Sequence, residues 1–111
     1  MTLRRCSRTP YALGRKELLD DHGMLFIFQS FERHHFFMKN TYIPLDIIFF
    51  SGDRGSVSVV GVLENMRPFD ERPKSVEARS YAALEVRSPW VKRRGIKPGD
   101  RVVLEVTGAS R

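Results

Sequence analysis

The chain lacks most of the features that identify a reaction from sequence. Cys6 is the one cysteine among 111 residues, which excludes an intrachain disulfide and a cysteine-rich zinc site. No apolar run approaches the roughly 20 residues of a transmembrane helix. Nothing resembles a signal peptide, because the first sustained apolar run begins only at Met24. We therefore expect a cytoplasmic protein that does not associate with membranes.

The motifs of common active sites are also missing. The sequence has no Gly-x-Ser-x-Gly nucleophile elbow and no Gly-x-Gly-x-x-Gly phosphate loop. His34 and His35 are neighbours on a predicted strand, so their side chains face opposite sides, and His22 stands alone in a turn. Cys6 lies in a basic arm that is too loosely held to position a nucleophile. We therefore name no catalytic residue, no metal ligand and no cofactor, and we favour a protein that is not an enzyme.

The composition is that of one small folded domain. Hydrophobic residues make up 41% of the chain and aromatic residues 11%, which is enough to build a core, since large rings bury much area. The formal net charge of +6 and the pI of about 10.0 permit binding to nucleic acid or to another anionic surface. Because small basic domains are common, nucleic acid is an open but not a favoured partner.

Short apolar runs separated by turn signals predict a β-rich fold. Six strands are expected, at residues 24–28, 34–39, 45–51, 56–63, 80–86 and 101–107. A short helix is expected to begin with Ser88 as its N-cap and to end at Gly95, and the segment 11–21 is a helical or irregular lead-in. Residues 97–100 fit a type II turn, with Gly99 at its third position.

This pattern is typical of an all-β domain, a compact antiparallel β-sandwich or barrel with one or two short helices. Residues 1–14 are expected to form a loosely ordered basic arm, residues 15–107 the single β domain, and residues 108–111 a tail. The pattern leaves the oligomeric state open.

The stretch 36–50 organises the rest of the chain. Two apolar runs flank the polar triplet Lys39, Asn40 and Thr41. Pro44 lacks a backbone donor, so the middle of the stretch cannot continue as a central strand. The triplet is therefore expected at a chain reversal between two strands of the core.

This reversal is the predicted binding site, for an unidentified small polar ligand or a protein partner. A lysine cation, an amide and a carboxylate converge there in a small area, which is enough to orient a polar ligand. The loop 65–77 is long for a compact domain and contributes Glu71 as a lid residue. The predicted site residues are Lys39, Asn40, Thr41, Asp46 and Glu71.

A purely structural interpretation of the same residues carries at least equal weight. In that interpretation Asn40 takes the left-handed region, and Thr41 or Asp46 accepts hydrogen bonds from exposed backbone.

Two further functions stay open. A small hydrolase or transferase could use Asp46 with a second carboxylate from Glu64, Asp70 or Glu71. A nucleic-acid binder could use the basic helix 89–97, which carries Lys92, Arg93 and Arg94 with Trp90 as a stacking ring. For that cluster we favour cations that complement the helix dipole, with Trp90 packed underneath.

Several blocks of the sequence resemble an uncharacterised bacterial and archaeal family, domain of unknown function 192. The similarity runs from about residue 15 to residue 106 and is most specific in the Met-Lys-Asn-Thr and Pro-Leu-Asp block. The blocks that carry it are Gly23–Phe28, Phe37–Ile47, Asn65–Pro68, Tyr81–Glu85 and Gly95–Asp100.

The resemblance implies a compact β-sandwich or barrel with one or two short helices, and it brings no reaction, substrate or cofactor. Phe37 stands where the family usually has Trp, which keeps an aromatic anchor before Met38. Members often begin with an extra strand that residues 1–11 match weakly, and many members are exported, whereas this chain shows no signal segment.

Overall fold

The computed structural model describes residues 2–6, 22–53 and 56–103. Six strands and one helix follow one another along this part of the chain. In chain order they are β1 (Thr2–Cys6), β2 (His22–Glu32), β3 (Leu45–Asp53), β4 (Ser56–Met66), β5 (Ser80–Arg87), α1 (Trp90–Arg94) and β6 (Arg101–Val102).

The strands form one curled sheet in the order β1-β2-β5-β3-β4-β6. β1 pairs with β2 in parallel, and the other neighbouring strands are antiparallel. The predicted all-β class with a short helix is confirmed. Residues 2–6 of the predicted N-terminal arm form strand β1, while the predicted boundaries after residues 14 and 107 lie outside the described residues.

The two central strands, β3 and β5, are buried on both faces of the sheet. Ile47 and Phe49 of β3 belong to one core cluster, and Ile48 and Phe50 belong to the other. Successive side chains of a strand point to opposite faces, so a strand between two cores needs an unbroken apolar run. The long segments 33–44 and 67–79 contribute side chains to the first cluster or pack against it. Trp90 and Val91 of α1 belong to the second cluster.

The strand predicted at residues 34–39 is absent from the sheet, and this prediction is wrong. In this stretch only Phe36 makes a ladder contact, an isolated antiparallel bridge with Lys74 of the long loop. The backbone N–H of Phe36 donates to Lys74 O at 2.9 Å, and that of Lys74 donates to Phe36 O at 2.8 Å. Phe36 is a core contact rather than part of a strand, since its ring meets Phe26 and Phe49 edge to face, whereas Phe37 is exposed.

The side chains of β4 do not alternate strictly between the two faces of the sheet. Strict alternation would put Val57, Val59 and Leu63 on one face, but Leu63 packs on the opposite side from the other two. The register shifts here, because Phe49 pairs with Gly61 and Phe50 with Val59. The extra residue is a bulge, which reverses the alternation of the side chains that follow.

Helix α1 begins one residue later than the sequence indicates. Pro89, not Ser88, occupies the N-cap position and makes no side-chain capping hydrogen bond. The C-terminal prediction is confirmed, since Gly95 has φ 65°, and its N–H and that of Ile96 donate to Lys92 O and Val91 O.

The turn at 97–100 is also confirmed. Gly99 has φ 97°, and the N–H of Asp100 donates to Lys97 O at 3.1 Å. In the described part of the chain no helix has the length and apolar character needed to cross a membrane.

Candidate functional site

The predicted polar triplet lies on a tight turn at the end of the 33–44 segment. The N–H of Thr41 donates to Met38 O at 3.2 Å, and Asn40 has φ 55°, as the structural interpretation of the turn predicts. Lys39 and Asn40 are exposed. Thr41 is buried, and its Oγ1 donates to Lys39 O at 3.2 Å. The turn therefore presents two polar side chains to solvent and uses the third to hold itself together.

Asp46 is a buried structural carboxylate. Its side chain is 1% exposed, and both oxygens accept backbone hydrogen bonds. The N–H of Asn65 donates to Oδ1 at 2.8 Å, and that of Val91 donates to Oδ2 at 2.9 Å. Asp46 thus joins the end of β4 to the first turn of α1, where a negative charge is favoured.

A second turn lies beside the first. Residues 67–70 place Pro68 second and Phe69 third, and the N–H of Asp70 donates to Arg67 O at 3.3 Å, as in a type II turn. The N–H of Met38 donates to Asp70 O at 2.8 Å, and that of Phe69 donates to Thr41 O at 3.2 Å. These bonds join the two turns into one unit.

The long loop is held along its length rather than left open. Besides the bridge between Phe36 and Lys74, Arg33 Nε donates to Val76 O at 3.0 Å, and its Nη2 donates to Ser75 Oγ at 2.8 Å. Val76 in turn packs over Gly61, where an added Cβ would lie 2.8 Å from the Val76 side chain. The loop is therefore a fixed wall against β4.

A polar cleft of about 340 Å³ opens between the end of β4 and this wall. Residues 63–67 form one side, and Asp70, Arg72 and Lys74 form the other. The charged lining comprises three cations (Arg67, Arg72, Lys74) and two carboxylates (Glu64, Asp70). A volume of this size suits a small ligand.

Asp70 pairs with two cations of the cleft lining, Arg72 and Lys74. Its Oδ1 accepts from Arg72 Nε at 2.9 Å and from the Arg72 backbone N–H at 3.0 Å, and its Oδ2 accepts from Arg72 Nη2 at 2.8 Å. Lys74 Nζ lies 3.9 Å from Oδ2. The hydrogen bonds from the Arg72 side chain and backbone hold the pKa of Asp70 well below its usual range, and the same pair raises the pKa of Arg72.

The basic helix does not offer its ring for stacking. Trp90 is 8% exposed and belongs to the core cluster under α1. The guanidinium of Arg94 lies over the indole at 5.2 Å from the ring centroid, while Lys92 and Arg93 are exposed. A smaller cleft of about 210 Å³ lies beside the helix, lined by Arg87, Ser88, Pro89 and Arg93.

None of the histidine pairs considered from sequence forms a metal site in the described ranges. His34 stacks on Phe28 with ring centroids 3.6 Å apart, and its Nε2 lies 3.0 Å from Ser30 O. Among the side chains that the structure describes, no three from His, Cys, Asp or Glu are grouped closely enough to hold a metal ion.

Comparison with known families shows which family this chain belongs to. The family model DUF192, described as "Uncharacterized ACR", covers residues 8–104. The chain belongs to this family. No curated protein matches the chain.

Two solved crystal structures resemble this DUF192 domain closely. A protein of unknown function from Novosphingobium aromaticivorans DSM 12444 is 36% identical, with a TM-score of 0.75 over 89% of this chain and 70% of that chain. A protein described as a candidate transcription regulator from Sinorhizobium meliloti 1021 is also 36% identical, with a TM-score of 0.74 over 81% of this chain and 67% of that chain. The chain is therefore a small β domain that shares its fold with these two proteins.

The predicted site residues of this DUF192 domain divide into two groups. Lys39, Asn40 and Glu71 are exposed, whereas Thr41 and Asp46 are buried. Thr41 holds its own turn, and Asp46 holds the end of β4 and the start of α1. The cleft residues that sequence reasoning missed are chiefly Arg67, Arg72 and Lys74. A signal for them was present, because the loop 65–77 is long and densely charged.

Proposed function

We propose that this domain is a binding module whose polar cleft, beside the chain reversal 39–46, takes a small anionic ligand. The observation that carries the proposal is the charge of the cleft lining, three cations against two carboxylates, in a volume of about 340 Å³. An anionic group gains from such an excess of positive charge, most strongly where water is partly displaced.

The cations retain donors for a ligand. Arg72 uses Nε and Nη2 on Asp70, which leaves Nη1 without a protein partner in the described part of the chain. Arg67 is exposed and makes no ion pair with any described residue. Lys74 Nζ is only loosely paired, at 3.9 Å from Asp70. The bidentate Asp70 pair also orients Arg72, which lowers the entropy cost of binding.

The residues of the reversal have two roles in this proposal. Lys39 and Asn40 are exposed on the turn that is hydrogen-bonded to the 67–70 turn, and the predicted lid residue Glu71 lies between Asp70 and Arg72 on the fixed loop. Thr41 and Asp46 act indirectly, because they hold the 38–41 turn and Asn65 in place.

The geometry supports the hydrolase alternative less well. Asp46 is buried, and both of its oxygens accept backbone N–H groups. A general base must reach a water or substrate proton, which this carboxylate does not. Asp70 is held as an anion by Arg72, which makes it a weak base and an unsuitable acid.

Nucleic acid is the second candidate ligand. The exposed cations Lys92 and Arg93 of α1 favour it, together with the arginine-lined cleft beside that helix. The relative described as a candidate transcription regulator is consistent with such a role. The burial of Trp90 weighs against a stacking mode.

The cytoplasmic location and the protein partner stay predictions of the sequence.

A thermal-shift screen with inorganic phosphate, citrate, glucose, adenosine monophosphate and an oligonucleotide tests the proposal. Lys74→Met removes a cleft cation, Lys39→Met removes the cation of the reversal, and Arg93→Met is the matched control on α1. We expect the anions to stabilise the parent and Arg93→Met, and to stabilise Lys74→Met less. An anion effect lost only in Arg93→Met moves the function to the helix, and no anion effect in the parent overturns the proposal.

A further inference from the structure

Phe69 is held in a backbone conformation that its side chain disfavours. Its φ is 64°, at the third position of the 67–70 turn, where Gly or Asn is the usual residue. A large aromatic residue with positive φ is an outlier, because Cβ crowds the neighbouring backbone. Packing does not explain the choice, since the side chain is 54% exposed.

The ring of Phe69 is nevertheless held in a defined place. It meets Tyr42 at a centroid distance of 4.9 Å and an interplanar angle of 79°, and Tyr42 is itself 44% exposed. In an edge-to-face pair, the ring that contributes its edge keeps both faces away from its partner. The pair thus offers a half-exposed aromatic surface.

This aromatic pair adjoins the polar cleft. Phe69 lies between Arg67 and Asp70, and the turn that carries it supplies both of these residues to the cleft lining. Phe69 directly precedes Asp70 and follows the cation Arg67 by two residues, and consecutive Cα atoms are about 3.8 Å apart. Backbone strain at an exposed position next to a binding cleft is where a functional cause is expected.

We propose that Phe69 and Tyr42 form an aromatic rim that stacks on a planar ring of the ligand whose anionic group enters the cleft. The ligand class is then an aryl or heteroaryl anion, such as an aryl phosphate, an aryl carboxylate or a nucleotide. The proposal rests on the anion-binding function of the cleft. A protein loop fits the observations less well, because Phe69 shares its turn with Arg67 and Asp70, which line a cleft of the size of a small molecule.

Isothermal titration with phenyl phosphate and inorganic phosphate separates the rim from the cleft. In the parent, phenyl phosphate should bind about two- to tenfold more tightly than inorganic phosphate, the worth of one aromatic contact. In Phe69→Asn, which suits a left-handed residue but lacks the ring, this preference should vanish while phosphate affinity stays the same. Phe69→Tyr should keep the preference.

Phe31→Asn is the matched control. Phe31 is also half exposed, at 42%, and lies against another ring, Tyr81, at 4.6 Å. The Phe31→Asn protein should keep the full preference for phenyl phosphate over inorganic phosphate. Equal affinities of the parent for the two probes, or a preference that survives in Phe69→Asn, overturn the aromatic rim and leave the anion cleft standing. A parent that binds neither probe overturns both proposals.

Discussion

The carboxylate of Asp46 accepts a hydrogen bond from the backbone N–H of Val91 at 2.9 Å, across 45 residues of sequence. It caps a helix whose own N-cap residue, Pro89, makes no side-chain hydrogen bond. The same side chain accepts from Asn65 N at 2.8 Å, at the edge of the polar cleft. One buried carboxylate therefore positions both α1 and the β4 end of the candidate site.

Replacement of Asp46 should lower stability strongly. Asp46→Ala leaves two N–H donors without their partner in a buried site, which should cost about 2–5 kcal/mol of unfolding free energy. Asp46→Asn should cost less, because its amide oxygen still accepts one bond. Urea unfolding followed by tryptophan fluorescence measures both, with the exposed Glu71→Gln expected within about 0.5 kcal/mol of the parent. An Asp46→Asn protein as stable as the parent would contradict the structural role and reopen the hydrolase alternative.

The strain at Phe69 should appear in a comparison of two variants that both lack the ring. Phe69→Gly should be more stable than Phe69→Ala by about 1 kcal/mol, because only glycine takes a positive φ without a Cβ clash. The loss of the Tyr42 contact is common to both variants and cancels in the comparison. Thermal unfolding of the pair measures the difference, and equal midpoints would show that the backbone at residue 69 is unstrained.

Gly99→Val should destabilise the protein by about 1–3 kcal/mol. Gly99 has φ 97°, and a Cβ at this position would meet nothing within 4 Å, so the effect comes from the backbone and not from a steric contact. Gly99→Asn is the control and should lose less unfolding free energy than Gly99→Val, because Asn tolerates positive φ better than Val. Coincident denaturant midpoints for the parent and Gly99→Val would mean that the 97–100 turn differs from the one described.

Asp70 should make stability depend on pH in the acid range. Its pKa is lowered in the folded state by the hydrogen bonds from Arg72, so below about pH 4 the unfolded chain binds more protons than the folded one. The stabilisation is therefore present at neutral pH and is lost as the pH falls. Urea midpoints of the parent and Asp70→Asn should differ at about pH 7, and the difference should shrink progressively as the pH falls below about 4. A difference that is constant with pH would exclude the Arg72 pair as its source.

The far-ultraviolet circular dichroism spectrum should be dominated by β structure. The described part of the chain holds one helix, Trp90–Arg94, so helix should account for less than about a fifth of the residues. A helix-rich spectrum would contradict the architecture and with it the placement of the cleft.

Local signals in the sequence were sufficient for much of the fold. The apolar run at 45–50 predicts a strand of the core, and β3 is that strand, buried on both faces. Gly95 and Gly99 end the helix and shape the following turn because their positive φ values are a local requirement. The Met-Lys-Asn-Thr block likewise led to the correct family.

Residues 34–39 show where local pattern fails. Their aromatic run predicts a strand, but the backbone of Phe36 hydrogen-bonds to Lys74, in a loop that has no apolar pattern. Hydrophobic periodicity indicates which side chains are buried. It does not indicate which segment, far away in the sequence, forms hydrogen bonds with their backbone.

The candidate site depends on the same kind of long-range contact. Composition and turn chemistry determined that this chain is a small β domain with polar residues at a reversal, because those properties follow from neighbours in sequence. Only the tertiary structure decided that Asp46 is a buried support and that Arg67, Arg72 and Lys74 share a cleft. Hydrogen bonds between segments far apart in the chain, from Val91 to Asp46 and from Met38 to Asp70, set those positions, and no local pattern encodes them.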